Sequence, residues 1–176
     1  MFLSKDADGH CPVQISGYTL LEEIYNGTKT AVYRAVDTEQ RPVVIKVLQE
    51  KYPSFNDLVQ FQNQYTIAVD LNIPGIIRPY SLDLLGNGYM LVMEDFGGIS
   101  VQEYVQTRSL DLVEVLVLAL QITEVLEALY QHRIVHKDIK PANVLIHPES
   151  KQIKLIDFSI ATLLPKETQD IQTPNR

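Results

Sequence analysis

The sequence predicts an α+β fold in which a β-rich first part is followed by a helical second part. Three short runs of β-type residues lie between Tyr18 and Val47 and are separated by turn compositions, which is typical of an antiparallel meander. Two further runs flank the turn at residues 86–88 and predict a hairpin. After Gly98 the apolar spacing becomes helical. We therefore expect five strands and one helix, followed by a region of helices.

The predicted helices differ in length and in the residues that begin them. Apolar spacing places them at residues 56–71, at residues 101–105 and at residues 111–132. Ser54 or Asn56 is available as the N-cap of the first helix, because the short polar side chain of either residue can accept a hydrogen bond from a backbone N–H. Two brief strand-like runs follow the last helix, at residues 144–146 and 153–157.

The totals restrict the class of protein. The chain has 176 residues, a hydrophobic content of 45% and a net charge of −7. This size allows one domain or two small lobes, and the negative charge repels nucleic acids and acidic membrane surfaces. Cys11 is the single cysteine, so it forms neither an internal disulfide nor a thiolate metal site, which fits a reducing cytoplasm.

The domain organisation predicted from the pattern has four parts. These are a flexible lead-in at residues 1–16, a β-rich lobe at 17–96, a helical lobe at 97–164 and a disordered tail at 165–176. The apolar run at residues 112–129 is interrupted by polar and charged side chains, namely Glu114, Gln121, Glu124 and Glu127. We therefore expect a buried helix there and no insertion into a membrane.

The segment HKDIKPANVLI at residues 136–146 concentrates the groups needed for phosphoryl transfer. An aspartate in a loop can accept the proton of an attacking hydroxyl, a lysine can neutralise a transferring phosphoryl group, and an asparagine oxygen can hold Mg²⁺. Asp138, Lys140 and Asn143 supply these three groups. The alternative is a solvated turn with the same composition. This spacing before an aliphatic strand resembles the catalytic loop of the protein kinase family.

The resemblance extends from about Tyr18 to Ala161 and assigns further roles. Asp157 in the segment IDFS corresponds to the aspartate that binds Mg²⁺, and Phe158 is expected to pack against His136. Lys46 in the segment VVIK corresponds to the lysine that binds the inner phosphates of the nucleotide. Ser159 stands where the family usually has glycine.

The resemblance also implies an adenine pocket at the junction of the two lobes. Met93 is expected to border the pocket, and the backbone of Glu94 and Phe96 to bond the edge of the adenine. The ring is expected to lie between three aliphatic side chains, those of Val32, Val44 and Leu145. Met93 as an ordinary core residue at a strand end is compatible with this reading.

Several positions depart from the family pattern. The glycine-rich turn retains Gly27 but has Tyr25 and Thr30 at its other two glycine positions, which predicts an altered grip on phosphates; Lys29 at its tip offers a charge in compensation. Gln64 stands where the family has a glutamate that pairs with Lys46, and a neutral amide forms a weaker bond. Lys137 stands where many members have an arginine that binds a phosphorylated activation loop through two hydrogen bonds. Lysine reproduces this geometry poorly, so we do not expect control by loop phosphorylation.

The resemblance implies a protein-kinase-like, two-lobed α+β fold with a complete β-rich N-lobe and a partial helical C-lobe. The implied function is transfer of phosphate from ATP with Mg²⁺ to serine or threonine of a protein, because a lysine stands two residues after Asp138. The amino-acid sequence looks like that of the N-terminal kinase domain of large multi-domain bacterial sensor proteins. No activation segment is recognisable after Ser159, so we expect a fragment with exposed apolar surface on the long helix.

Two other functions share this pattern. One is a non-catalytic kinase-like module that binds a nucleotide or a partner, as Gln64 and the altered turn suggest. The other is a small-molecule phosphotransferase of the same fold, which also uses a loop with aspartate and asparagine; Lys140 favours a protein acceptor instead.

Overall fold

The first half of the molecule is built around one antiparallel sheet. The computed structural model describes residues 15–165. Its first five strands are β1 (Tyr18–Asn26), β2 (Thr30–Asp37), β3 (Pro42–Leu48), β4 (Pro79–Leu85) and β5 (Gly88–Glu94). They form one sheet in the order β1-β2-β3-β5-β4, with every neighbouring pair antiparallel. The predicted meander and hairpin are confirmed.

Helix α1 (Phe55–Ala68) crosses from β3 to β4. Ser54 is its N-cap, and its side chain accepts a hydrogen bond from the backbone N–H of Asp57. The side chain of Asp57 accepts a hydrogen bond from the backbone N–H of Ser54, which completes a capping box. The helix ends three residues before the predicted boundary, because the N–H of Leu71 bonds the carbonyl of Ala68 in a tighter turn. The buried side of α1 includes two polar side chains, those of Asp57 and Gln64.

The second half combines helices with three very short pairings of strands. Its helices are α2 (Val101–Thr107) and α3 (Leu112–Gln131), with a 3-10 helix at Pro141–Asn143. Its strands are β6 (Ile99–Ser100), β7 (Ile134–Val135), β8 (Val144–Ile146), β9 (Ile153–Leu155) and β10 (Thr162–Leu163). β6, β8 and β9 form one sheet, and β7 pairs with β10. The strand predicted at 153–157 is too long, because Asp157 has a left-handed backbone with φ of 67°.

Two separate hydrophobic cores support the two halves. The upper core packs side chains from β2, β3 and β5, including Tyr33, Ile45 and Val92. Ile15 joins this core at 3% exposure, although the pattern assigned it to the lead-in. The lower core joins α2, α3, β8 and β9 around Leu129. The remainder of the predicted lead-in and tail, residues 1–14 and 166–176, lies outside the described residues.

Helix α3 has an exposed apolar surface on the side opposite the lower core. Leu118, Val125 and Leu129 are buried, whereas Leu112 is 73% exposed and Leu120 is 65% exposed. The sequence-based expectation of apolar surface on this helix is confirmed. The expectation of a buried helix at residues 112–129 is wrong, because α3 packs against the lower core along one side only. No helix within residues 15–165 combines the length and the hydropathy needed to cross a bilayer.

Candidate active site

Lys46 lies on β3 at the centre of the five-stranded sheet. It pairs with Val32 on β2 and with Leu91 on β5, so these three side chains project from one face of the sheet. The Lys46 ammonium donates to Gln64 Oε1 at 2.7 Å and lies 3.4 Å from Asp157 Oδ2. Lys46 therefore joins the sheet, α1 and the segment after β9 at one point, and the predicted bond to Gln64 is confirmed.

Asp157 presents its carboxylate to Lys46 from a constrained backbone. A left-handed conformation outside glycine persists only when the surroundings enforce it. Burial raises the pKa of the Asp157 carboxyl, but the Lys46 ammonium and the hydrogen bonds from Ser159 outweigh burial and leave the pKa below its ordinary value. The carboxyl of Asp157 is therefore ionised at neutral pH and carries one full negative charge beside Lys46.

Asp138 lies in the loop between β7 and the 3-10 helix. Its Oδ2 accepts hydrogen bonds from Lys140 Nζ at 2.7 Å and from Asn143 Nδ2 at 2.8 Å. The bond from Lys140 is the main reason that the pKa of Asp138 lies below its ordinary value; burial opposes it and the bond from Asn143 adds to it. The charge of Asp157 also acts on this pKa, so the two carboxylates share one region.

His136 connects the loop that carries Asp138 to the segment that carries Asp157. Its Nε2 lies 3.0 Å from the carbonyl oxygen of Ile156, and its Nδ1 accepts the N–H of Asp138 at 3.2 Å. These contacts fit a neutral imidazole with its hydrogen on Nε2. The ring packs edge-on against Phe158 with 4.7 Å between centroids, which confirms the predicted contact.

We expect acid to weaken the fold through His136. Burial lowers the pKa of His136 below 6.5. As the pH falls below about 6.5, the unfolded chain binds a proton there and the folded chain does not, so stability is lost between that pH and the lower folded pKa. Thermal unfolding at about pH 7.5 and about pH 5.5 measures the effect. His136→Gln should lose less Tm than the wild type on acidification, and an equal loss would contradict the assignment.

The turn between β1 and β2 is shaped by its aromatic substitution. A Cβ on Gly27 would lie 2.4 Å from the hydroxyl oxygen of Tyr25, so the exposed ring of Tyr25 lies over this glycine and would have to move aside for any larger residue. Lys29 at the tip donates to Asp57 Oδ1 at 2.6 Å, at the start of α1. That hydrogen bond raises the pKa of Lys29 and lowers the pKa of Asp57. The positive charge of Lys29 is therefore paired with the carboxylate of Asp57 on α1.

The chain passes between the two halves just after β5. Val44 on β3 pairs with Met93 on β5, so both side chains lie on the face that carries Lys46. The N–H of Glu94 donates to the carbonyl of Arg78 at 3.0 Å. The N–H of Glu94 is therefore bound within the protein, and the predicted bond between the Glu94 backbone and adenine stays a prediction for its carbonyl.

The other predicted pocket residues are placed by their elements. Phe96 follows β5 and meets the ring of His147 at 5.8 Å between centroids. Leu145 is half-buried on β8, two residues after Asn143. Within residues 15–165, no hydrogen bond ties Gly27, Phe96 or Leu145 to the polar groups around Lys46 and Asp138.

Asn143 and Asp157 fit a site for Mg²⁺. Both hydrogen bonds of the Asn143 side chain use its nitrogen, at 2.9 Å to the carbonyl of Asp138 and 2.8 Å to its carboxylate, which leaves the amide oxygen for a cation. Asp157 adds an ionised carboxylate. Mg²⁺ favours such oxygen ligands and takes few from the protein when substrate phosphates complete its shell. In the described region no group of three or more His, Cys, Asp or Glu side chains is arranged to hold a metal.

A comparison of the sequence with models of known protein families shows the family of the chain. The model described as Protein kinase domain matches residues 18–175. The chain belongs to the protein kinase family. Its five-stranded upper sheet with one helix, and its lower helices with the loop at Asp138, are those of a partial kinase fold.

Curated relatives agree with this assignment. The serine/threonine-protein kinase PrkC of Bacillus subtilis is 36% identical over 159 residues, which cover 88% of this chain and 24% of the relative. The probable serine/threonine-protein kinase PknB of Lactococcus lactis is 31% identical over 162 residues, covering 89% and 25%. The serine/threonine-protein kinase PkaA of Streptomyces coelicolor is 32% identical over 164 residues, covering 84% and 30%. The chain spans about a quarter of the length of the first two.

In this kinase family member, Gln64→Glu is expected to strengthen the hold on Lys46. The glutamate would place a carboxylate 2.7 Å from the ammonium and replace a neutral hydrogen bond by a charge-assisted one, which is about twice as strong. A better oriented Lys46 should raise affinity for Mg²⁺-nucleotide by about threefold to tenfold, measured by calorimetric titration. Gln62→Glu adds the same charge on the exposed side of α1 and is the control. Equal affinities for both variants would contradict the role of Gln64.

The sequence pattern missed polar residues that lie outside the candidate site and fix the segments that carry it. Arg34 on β2 donates to Asp95 at 2.8 Å and so fixes the segment after β5. Asn63 on α1 bonds backbone carbonyls of the segment after Asp157. The signal that sequence offered was limited to Asp57, because its place three residues after Ser54 is typical of a capping box.

Proposed function

We propose that the chain acts as an ATP-dependent serine/threonine protein kinase domain, which transfers a phosphoryl group from Mg²⁺-ATP to a protein hydroxyl. The observation that carries the proposal is the convergence of two ionised carboxylates with two lysines and an asparagine. Lys46 lies 3.4 Å from Asp157, and Lys140 and Asn143 both bond Asp138. Phosphoryl transfer needs such a set, because it depends on positioning and on neutralising charge.

Asp138 is our candidate for the base. Its low pKa keeps the carboxylate ionised, so that it can accept the proton of a serine or threonine hydroxyl. Lys140 lies on the same carboxylate and would place positive charge beside the transferring phosphoryl group. The two residues therefore combine proton acceptance with stabilisation of negative charge.

The nucleotide is proposed to lie between the two halves. Lys46 would contact the inner phosphates, and Asn143 and Asp157 would hold Mg²⁺, which supplies charge neutralisation for the phosphates when it is bound. The adenine would bond the Glu94 carbonyl and the Phe96 backbone. Four further residues would enclose the nucleotide, namely Gly27, Val32, Val44 and Leu145.

The acceptor is proposed to be serine or threonine of a protein. The printed names of the relatives describe serine/threonine-protein kinases, and Lys140 follows Asp138 at the spacing found in that class. Because those relatives are several times longer, we further propose that this domain works within a larger signalling protein. A cytoplasmic location, suited to ATP and to the single cysteine, belongs to the same proposal.

Transfer of labelled phosphate tests the proposal. The chain is incubated with γ-labelled ATP, Mg²⁺ and a generic basic protein, and the labelled amino acids are separated after hydrolysis. We expect label on serine and threonine that requires Mg²⁺. Absence of transfer by a chain that binds Mg²⁺-ATP would overturn catalysis, and absence of both binding and transfer would overturn the nucleotide site as well.

A non-catalytic nucleotide-binding or docking module is the second candidate. It is favoured by the ring of Tyr25 against Gly27 and by the neutral Gln64 beside Lys46. Both features weaken the grip on phosphates relative to a glycine turn and a charged pair. This candidate predicts binding of nucleotide without transfer in the assay above.

A further inference from the structure

Asn63 makes an unusual set of contacts across the two halves of the molecule. It lies on α1, and its amide nitrogen is 3.2 Å from the carbonyl oxygen of Phe158, 3.0 Å from that of Ser159 and 3.0 Å from that of Ala161. An amide group has two hydrogens, so it is shared among the three carbonyls. All three acceptors belong to the four residues that follow Asp157.

The neighbouring residue on the same helix holds the other partner of Asp157. Gln64 accepts the hydrogen bond from Lys46 at 2.7 Å, and Lys46 lies 3.4 Å from Asp157. Two consecutive side chains of α1 therefore fix the two sides of one ion pair. Any rotation of α1 would move the lysine and the segment after the carboxylate together.

The backbone after Asp157 needs such a hold. Asp157 has a φ of 67°, a conformation that persists only when its surroundings enforce it. The N–H of Ser159 lies 3.3 Å from Asp157 Oδ1, so the position of Ser159 helps to orient the carboxylate. Asn63 fixes Ser159 through its carbonyl, and hence the carboxylate through the N–H of the same residue.

We propose that Asn63 is a positioning residue: its amide holds residues 158–161 against α1 and thereby aims the carboxylate of Asp157 at the metal-bound nucleotide. This inference rests on the proposed function. It also fits a site in which the partner that α1 offers to Lys46 is the neutral Gln64, because Asn63 supplies a second anchor between α1 and the lower half. An aliphatic side chain at this position could not donate to the three carbonyls.

The test compares Asn63→Ala with Gln62→Ala in the full chain. Both changes remove an amide from neighbouring positions of α1 and introduce the best helix former, but Gln62 is exposed. Hydrogen exchange of residues 157–162 without nucleotide reports the hold itself. Calorimetric titration of ATP over a series of Mg²⁺ concentrations reports whether the Asp157 carboxylate is oriented to bind the metal. The variant Asn63→Gln restores a hydrogen-bond donor and tests whether binding is rescued.

We expect Asn63→Ala to speed exchange at residues 157–162 and to raise the Mg²⁺ concentration for half-maximal ATP binding by about tenfold. Binding of metal-free ATP and the exchange of β2 should stay unchanged, Gln62→Ala should match the wild type, and Asn63→Gln should recover part of the loss. A merely structural role would lower Tm without changing the Mg²⁺ dependence relative to metal-free binding.

Three outcomes would overturn the inference. If hydrogen exchange at residues 157–162 is unchanged in Asn63→Ala, then Asn63 does not hold this segment, whatever the result of the nucleotide titrations. Faster exchange with an unchanged Mg²⁺ dependence removes the positioning role and leaves the proposed function intact. Absence of Mg²⁺-dependent ATP binding in the wild type removes the proposed function, and the positioning role with it, even where exchange shows the hold.

Discussion

Asp138→Asn is expected to lower the rate of phosphoryl transfer by about 10²-fold to 10⁴-fold, the usual contribution of a positioned base. The amide has the size of the carboxylate and can still accept the hydrogen bond from Lys140, which is 2.7 Å from Oδ2 in the wild type. It cannot take the proton of an attacking hydroxyl at neutral pH. Binding of Mg²⁺-ATP should persist, because Lys46, Asn143 and Asp157 are unaltered.

Steady-state transfer of labelled phosphate gives the rate, and calorimetry gives the affinity. Asp70→Asn is the matched control, since it removes one carboxylate from an exposed position beyond the end of α1. The control should transfer phosphate at the rate of the wild type. Equal rates for Asp138→Asn and Asp70→Asn would remove Asp138 from the role of base, and a loss of binding in Asp138→Asn would show a structural effect instead.

The fold could be predicted from local patterns because its elements satisfy local rules. Alternation along β2 and β3 buries one face of the sheet, and Ser54 with Asp57 forms the capping box that begins α1. Errors fell where tertiary contacts override the pattern. The run at residues 153–157 is rich in aliphatic residues, yet β9 ends at Leu155. The N–H of Ile156 bonds the carbonyl of Asn143, and Lys46 and Ser159 bind the carboxylate of Asp157.

The candidate site likewise contains residues that a local pattern predicts and contacts that no local pattern predicts. Asp138, Lys140 and Asn143 lie within one loop, so their spacing alone indicates that they meet. The contact of Asn63 with Phe158 spans 95 positions of the chain and ends on a backbone carbonyl, which carries no side-chain signature. The bond between Lys29 and Asp57 likewise joins a turn to a helix start 28 positions away. Such contacts follow from packing and have no local pattern.

Asp157→Asn is expected to abolish most of the advantage that Mg²⁺ gives to nucleotide binding. The carboxylate is ionised, lies 3.4 Å from Lys46 and is our candidate ligand for the metal. Asparagine is the best replacement, since it tolerates the left-handed conformation found at this position. Loss of one anionic oxygen ligand should weaken binding of Mg²⁺-ATP by about tenfold or more.

The metal-free arm of this experiment separates loss of the ligand from damage to the fold. Without Mg²⁺, the negative charge of Asp157 repels the triphosphate, so its removal should leave metal-free ATP bound at least as tightly as in the wild type. A damaged fold would weaken both forms of the nucleotide, and Asp70→Asn should weaken neither. If Asp157→Asn weakened metal-free and metal-bound ATP to the same extent, Asp157 would hold the structure of the cleft and not the metal, since only a ligand changes the difference between the two titrations.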